Sequence, residues 1–142
     1  MQPALFDSSI YITALRRGDD AAVSLRRLTA DRPLWLSAVV LEELYAGAAD
    51  RDRKIVERLE RDFETAKRIL VPNLTDWTQT GVVRARLAAK YHYEKIGQGR
   101  LTNDALIATS TARLGIQVIT ANEPYFRRLA EFHRFQSQVT LP

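Results

Sequence analysis

The strongest constraint on this chain is a repeated pattern. Short apolar runs, each closed by a polar residue or a proline, alternate with segments long enough to be helices. Ala4-Leu5-Phe6 stops at Asp7, Leu34-Trp35-Leu36 at Ser37, and Ile69-Leu70-Val71 at Pro72, while Ile116 to Thr120 leads into Ala121-Asn122. Gln138-Val139-Thr140 reads as a further, edge strand. Strands spaced by helical segments cannot pair as hairpins and need crossover connections, right-handed by default. The pattern therefore predicts an α/β fold, a three-layer α/β/α sandwich around a mostly parallel sheet of four to five strands. At 142 residues the chain is expected to form a single domain over residues 1–142.

Capping chemistry places the helices. Ser8 or Ser9 is the expected cap of a helix beginning at Ile10, and a second helical segment is expected from Asp20 to Thr29. Ser37 caps the helix carrying Val40, Leu41, Leu44, Tyr45 and Ala48. After a break at Asp50-Arg51-Asp52, Ile55, Leu59, Phe63 and Ala66 recur at helical spacing. Thr75 or Asp76 starts a long helix towards Tyr91. Glu94 to Arg100, with Gly97 and Gly99, reads as a loop, and Thr102 or Asn103 as the cap of a helix closed by Gly115. A short helix is expected over Tyr125 to Phe132, and Trp35 and Trp77 are assigned to packing.

Composition removes whole classes of function. The chain has no cysteine, which excludes a disulfide scaffold, a thiolate zinc site and a cysteine nucleophile, and which fits a reducing compartment such as the cytoplasm. The sequence shows no secretory signal and no uninterrupted apolar stretch of membrane-spanning length, so no membrane association is expected. The net charge of +4 suits either a polyanionic partner or arginines on solvated helix faces, and charge alone does not separate the two.

In a doubly wound sheet the groups that follow the strands share one rim, where ligands bind. Asp7 follows the first strand, Glu42-Glu43 lies within two helical turns of the second, Asp104 opens the helix leading into the fourth, and Asn122-Glu123 follows the fourth. Singly these are ordinary caps, first-turn acids or solvated surface. Gathered on one rim, carboxylates repel and need a cation to stay ionised together. Oxygen ligands without cysteine, and with only two distant histidines, point to Mg2+ or Mn2+. Helical periodicity does not choose between Glu42 and Glu43, which flank the apolar stripe on opposite sides.

Leu5-Phe6-Asp7-Ser8-Ser9, Ser37 to Gly47 with its Glu42-Glu43-Leu44, Asn103-Asp104-Ala105-Leu106-Ile107-Ala108, and Val118-Ile119-Thr120-Ala121-Asn122 together resemble, in order and spacing, the motifs of PIN-domain ribonucleases. More narrowly, they resemble the VapC toxins of toxin–antitoxin pairs. The resemblance implies a PIN-like fold and a Mg2+- or Mn2+-dependent endoribonuclease, with RNA as substrate, a VapB-like antitoxin as partner and a homodimer as assembly. It implies Asp7, Glu43 and Asp104 as catalytic and metal-ligating acids, selecting Glu43 over Glu42. Thr120 matches the family's Thr or Ser before the fourth position. That fourth position, often Asp in the family, is Asn122 here, which removes a negative charge, and Glu123 stands beside it as a possible substitute. Ser9 stands where many relatives have Asn.

Arg16, Arg17, Lys95 and Arg100 are expected near the acids as phosphate contacts. Tyr91, His92 and Tyr93 suit either base stacking or a half-buried helix end, and His133 is expected at the surface. Apolar residues on more than one face of the helices from Val40 to Ala49 and from Ile55 to Leu70 suggest a partner or a dimer. A catalytically weak or inactive nucleic-acid-binding module is the rival reading, favoured by Asn122. A receiver or a haloacid-type phosphatase is not, since Pro72-Asn73 follows the third strand and Ser9, not Asp, stands two residues after Asp7.

Overall fold

The first strand of the chain is the middle strand of the sheet. β1 (Ala4–Phe6) runs parallel between β2 (Leu34–Ser37) and β4 (Gln117–Thr120), and all of its residues are buried. A strand with neighbours on both sides and helices across both faces has no wet side, so it reads Ala-Leu-Phe without alternation. The computed structural model describes residues 2–17, 32–92, 98–121 and 123–140. Within them β3 (Ile69–Leu70) and β5 (Ser137–Val139) complete one sheet in the order β3-β2-β1-β4-β5. Every strand pairing among the described residues is parallel, with Leu5 opposite both Trp35 and Val118. The expected α/β sandwich is the observed one. The chain builds outward from β1 to β3, then returns to β4 on the other side of β1. That reversal puts the switch point at the carboxyl ends of β1 and β4.

The helices are α1 (Ser8–Arg17), α2 (Ala38–Gly47), α3 (Arg53–Thr65, after a 3-10 turn over Asp50–Asp52), α4 (Leu74–Tyr91), α5 (Gln98–Leu114) and α6 (Glu123–Ala130). None among the described residues is long and apolar enough to cross a membrane. α5 is the most enclosed. Leu101, Ala105, Leu106, Ile107 and Ala108 are buried along with Thr109, Ser110 and Thr111. Such a hydroxyl run is tolerable inside because each group bonds back to its own helix: Ser110 Oγ donates to the Leu106 carbonyl at 2.5 Å and Thr111 Oγ1 to that of Ile107 at 2.6 Å. α4 lies against it. Thr80 and Thr109 hydroxyls meet at 3.1 Å, and Arg113 grips the buried Asp76 carboxylate through Nε at 3.1 Å and Nη2 at 2.9 Å. Asp76 also completes a capping box with Asn73, at 2.8 and 2.9 Å.

Several expected boundaries are corrected. α1 starts at Ser8, so its cap is Asp7 and neither serine. α4 starts at Leu74 under an Asn73 cap, because the Asn73–Asp76 box supplies donors and acceptors that a start at Thr75 would lack. α5 begins by Gln98, which takes Gly99 and Arg100 out of the expected loop and leaves Thr102 and Asn103 within the helix. Buried Leu101 anchors that extra turn. On α3 the inward position belongs to Val56, with Leu59 and Phe63 partly buried, whereas Ile55 is 51% exposed. Trp35 packs on the core as expected, but Trp77 is 53% exposed. The expected helix from Asp20 to Thr29 lies outside the described residues.

Asp76→Ala removes a cap and leaves Arg113 without its partner. Urea denaturation is expected to show a loss of about 2–4 kcal/mol, whereas a loss under about 0.5 kcal/mol, typical of a plain surface substitution, would deny Asp76 that structural role.

Candidate active site

Asp7 sits where β1 turns into α1, 3% exposed. Its carboxylate takes the N-cap role and accepts the backbone N–H groups of Ser9 and Ile10. The Ser9 hydroxyl donates to Oδ1, and Thr120 Oγ1 donates to Oδ2 at 2.6 Å. Ser9 Oγ in turn accepts the Ala121 N–H at 3.2 Å, and the Asp7 N–H donates to the Ile119 carbonyl at 3.1 Å. These bonds tie the exits of β1 and β4 together around one acid. Burial still pushes the Asp7 carboxyl above its ordinary value, although every hydrogen bond opposes the shift.

Glu43 approaches from α2, half-buried. Burial is the main cause that raises its pKa, and the charges of Glu42 and Asp7 add to it. Hydrogen bonds from Asn103 and Ser8 pull the other way. Ser8 adjoins Asp7 and Asn103 adjoins Asp104, so Glu43 is held between the neighbours of the other two acids. Its Oε1 is buried with no hydrogen-bond partner among the described residues. Glu42 differs: it is exposed and faces a separate groove beside Trp77. Asp104 is 5% exposed on α5. Because α5 begins by Gln98, Asp104 is not the first-turn residue expected from sequence; the enclosing helix packing, rather than the helix start, sets its environment.

These acids do not form a finished cage, since among the described residues no three His, Cys, Asp or Glu side chains stand close enough together to hold an ion. The donors nevertheless fit a hard divalent cation in kind and in charge. They are oxygen donors, two of them acids raised by burial, and the buried Glu43 Oε1 lacks a partner among the described residues. Asp7, Glu43 and Asp104 are the residues that would hold such an ion.

Other expectations fall out differently. Asn122, Tyr93, Lys95 and the side chains of Arg100 and Glu123 lie outside the described residues. Tyr91 is engaged in packing: its hydroxyl donates to Glu131, and the Arg128 guanidinium lies 4.8 Å from its ring centre. His92 is exposed and ends α4 with φ of 58°. His133 is half-buried, because its backbone continues the last turn of α6 by donating to the Leu129 carbonyl at 3.0 Å. Sequence reasoning missed the part played by Ser8 and Asn103, both of which look like helix caps. It also missed Arg51, which lines a groove with Glu43 and Arg16. No pattern in the sequence marks Arg51; Ser8 and Asn103 are marked only by standing beside Asp7 and Asp104.

An α/β domain with buried acids at the switch point of a parallel sheet is the class defined so far. A sequence model of the PIN domain family matches residues 4–132, and the chain belongs to that family. Among solved structures it is similar to the DNA-bound VapBC from Salmonella typhimurium, at 20% identity and a TM-score of 0.68, covering 98% of each chain. It is equally similar to VapBC2 from Rickettsia felis bound to a DNA fragment of its promoter, at 20% identity and a TM-score of 0.68, covering 98% of this chain and 99% of that one. VapBC-1 from nontypeable Haemophilus influenzae is 23% identical with a TM-score of 0.64, covering 97% of this chain and 98% of that one. No curated relative matches the sequence.

A carboxyl raised in the fold costs stability once pH rises from its ordinary value through the folded one, because the fold prefers the protonated form. Glu43→Gln cannot ionise. In EDTA its melting temperature is therefore expected to gain on the wild type as pH rises from its ordinary 4.5, and excess Mg2+ is expected to cancel the gain. A melting-temperature difference that stays flat with pH would contradict the strained-acid description.

Proposed function

We propose that this protein is a Mg2+- or Mn2+-dependent endoribonuclease and the toxin of a toxin–antitoxin pair. The observation that carries the reading is the Glu43 carboxylate, pushed up by burial and by the charges of Glu42 and Asp7, with a buried oxygen that nothing among the described residues satisfies. Membership of the PIN family and likeness to VapBC structures support the same reading. A divalent cation bound at these acids supplies positive charge towards water and the phosphate oxygens.

The chain's own part is to aim and to neutralise. Ser9 and Thr120 hold both oxygens of Asp7 in a fixed direction, and Ser8 and Asn103 hydrogen-bond to Glu43 and orient it while leaving Oε1 open. Asp7 or Asp104 accepts the proton of the attacking water as its oxygen bonds to phosphorus, while the opposite P–O bond breaks with its electron pair leaving on the sugar oxygen, which takes a proton from solvent water. Asn122, which follows β4 in the sequence, carries a neutral amide where an acid is often found in the family. The substrate is RNA, and the protein partner is a VapB-like antitoxin whose basic side chains suit the acidic pocket. Val71, Leu74 and Trp77, at 63%, 79% and 53% exposure, form the apolar face for a homodimer, on the β3–α4 segment.

Asp7→Asn is expected to abolish Mn2+-dependent cleavage of structured RNA, by at least about 100-fold, while circular dichroism remains that of the parent. A folded variant cutting at the parent rate would sink the metal-site reading. Wild-type protein that binds RNA but never cuts it, with Mn2+ present, would instead favour the binding-module reading.

A further inference from the structure

A groove of about 470 Å3 runs from Glu43 along the cleft between α1 and α2. Its lining is partly apolar, with buried Leu44, half-buried Leu15 and exposed Ile12. Two arginines from separate elements border it: Arg16 from the last turn of α1, and Arg51 from the 3-10 turn after α2. Both are exposed, and neither has a carboxylate within ion-pair distance among the described residues. The acids lining the groove are Glu43 and Asp52, the latter next to Arg51 in sequence.

We propose that this groove carries the backbone of a single RNA strand into the acid site, with Arg16 and Arg51 each holding a phosphate next to the bond being cut. The inference rests on the ribonuclease reading above. Its physical basis is electrostatic. Acids that activate water also repel the polyanion they act on, so cations must offset that repulsion along the approach. Guanidinium groups fork onto two phosphate oxygens at once, and they do so best when no carboxylate already occupies them. Apolar lining beside such groups accepts the face of a sugar or an unpaired base, which water solvates poorly. Contacts of this kind position the strand without reading its sequence.

The test measures binding with cleavage silenced. Fluorescence anisotropy of a labelled single-stranded RNA of about 12 nucleotides is followed in EDTA over a range of salt, for the wild type, for Arg16→Glu/Arg51→Glu, and for Arg58→Glu/Arg86→Glu. The last pair changes net charge equally on exposed faces of α3 and α4. The groove pair is expected to weaken binding roughly tenfold or more and to lower the salt slope by about 1.4, two single-strand phosphate contacts at about 0.7 each. The control pair is expected to leave the slope unchanged. Equal losses in both pairs, or unchanged binding in the groove pair, would overturn the assignment. If the groove pair binds RNA normally but no longer binds the antitoxin, the groove belongs to that protein. Wild-type protein that binds as expected yet never cuts in Mn2+ keeps the groove assignment and removes the nuclease reading alone.

Discussion

The Asp7 carboxylate is the joint on which the structure turns. It caps α1, takes a hydroxyl from Ser9 within that helix, and takes another from Thr120 at the far end of the chain. Ser9 then reaches the backbone of Ala121. One buried acid thereby fixes the exits of β1 and β4 relative to each other, at the point where the sheet reverses direction. Hydrogen bonds to the ionised form hold the group in place but do not cancel the cost of burying it. A cation is the natural complement of such a site.

Rigidity behind the site comes from α5. Its buried hydroxyl run satisfies itself, and its far end is locked to α4 by the Asp76–Arg113 pair. Asp104 and Asn103 therefore project from a helix with little freedom to shift. Because Asn103 bonds to Glu43 from α5, and Ser8 bonds to it from α1, the three acids are linked through neighbours on three helices. The chain as a whole is basic, with a net charge of +4, while this centre is acidic.

Much of this was readable from residues alone. The unbroken apolar runs at Ala4–Phe6 and Val118–Ile119 read as strands buried on both faces, and the place of Asp7 at the end of the first follows from that. Helix starts were less readable. Asp7 and the two serines after it are all good caps, and only the fold shows which one lies outside the helix. Gly97 and Gly99 looked like a loop, yet the pull of buried Leu101 extends α5 backward through Gly99. Trp77 looked like core because large apolar residues usually are, but β3 ends at Leu70 and leaves the segment beyond it uncovered. The link from Glu43 to Ser8 and Asn103 is wholly tertiary, and no local rule points to it.

Anomalous diffraction from crystals soaked in Mn2+ addresses the acid centre most directly. The account predicts a peak between Asp7, Glu43 and Asp104, with the free Glu43 oxygen among its ligands. Crystals that take up manganese elsewhere, while these three carboxylates stay apart with water between them, would contradict it.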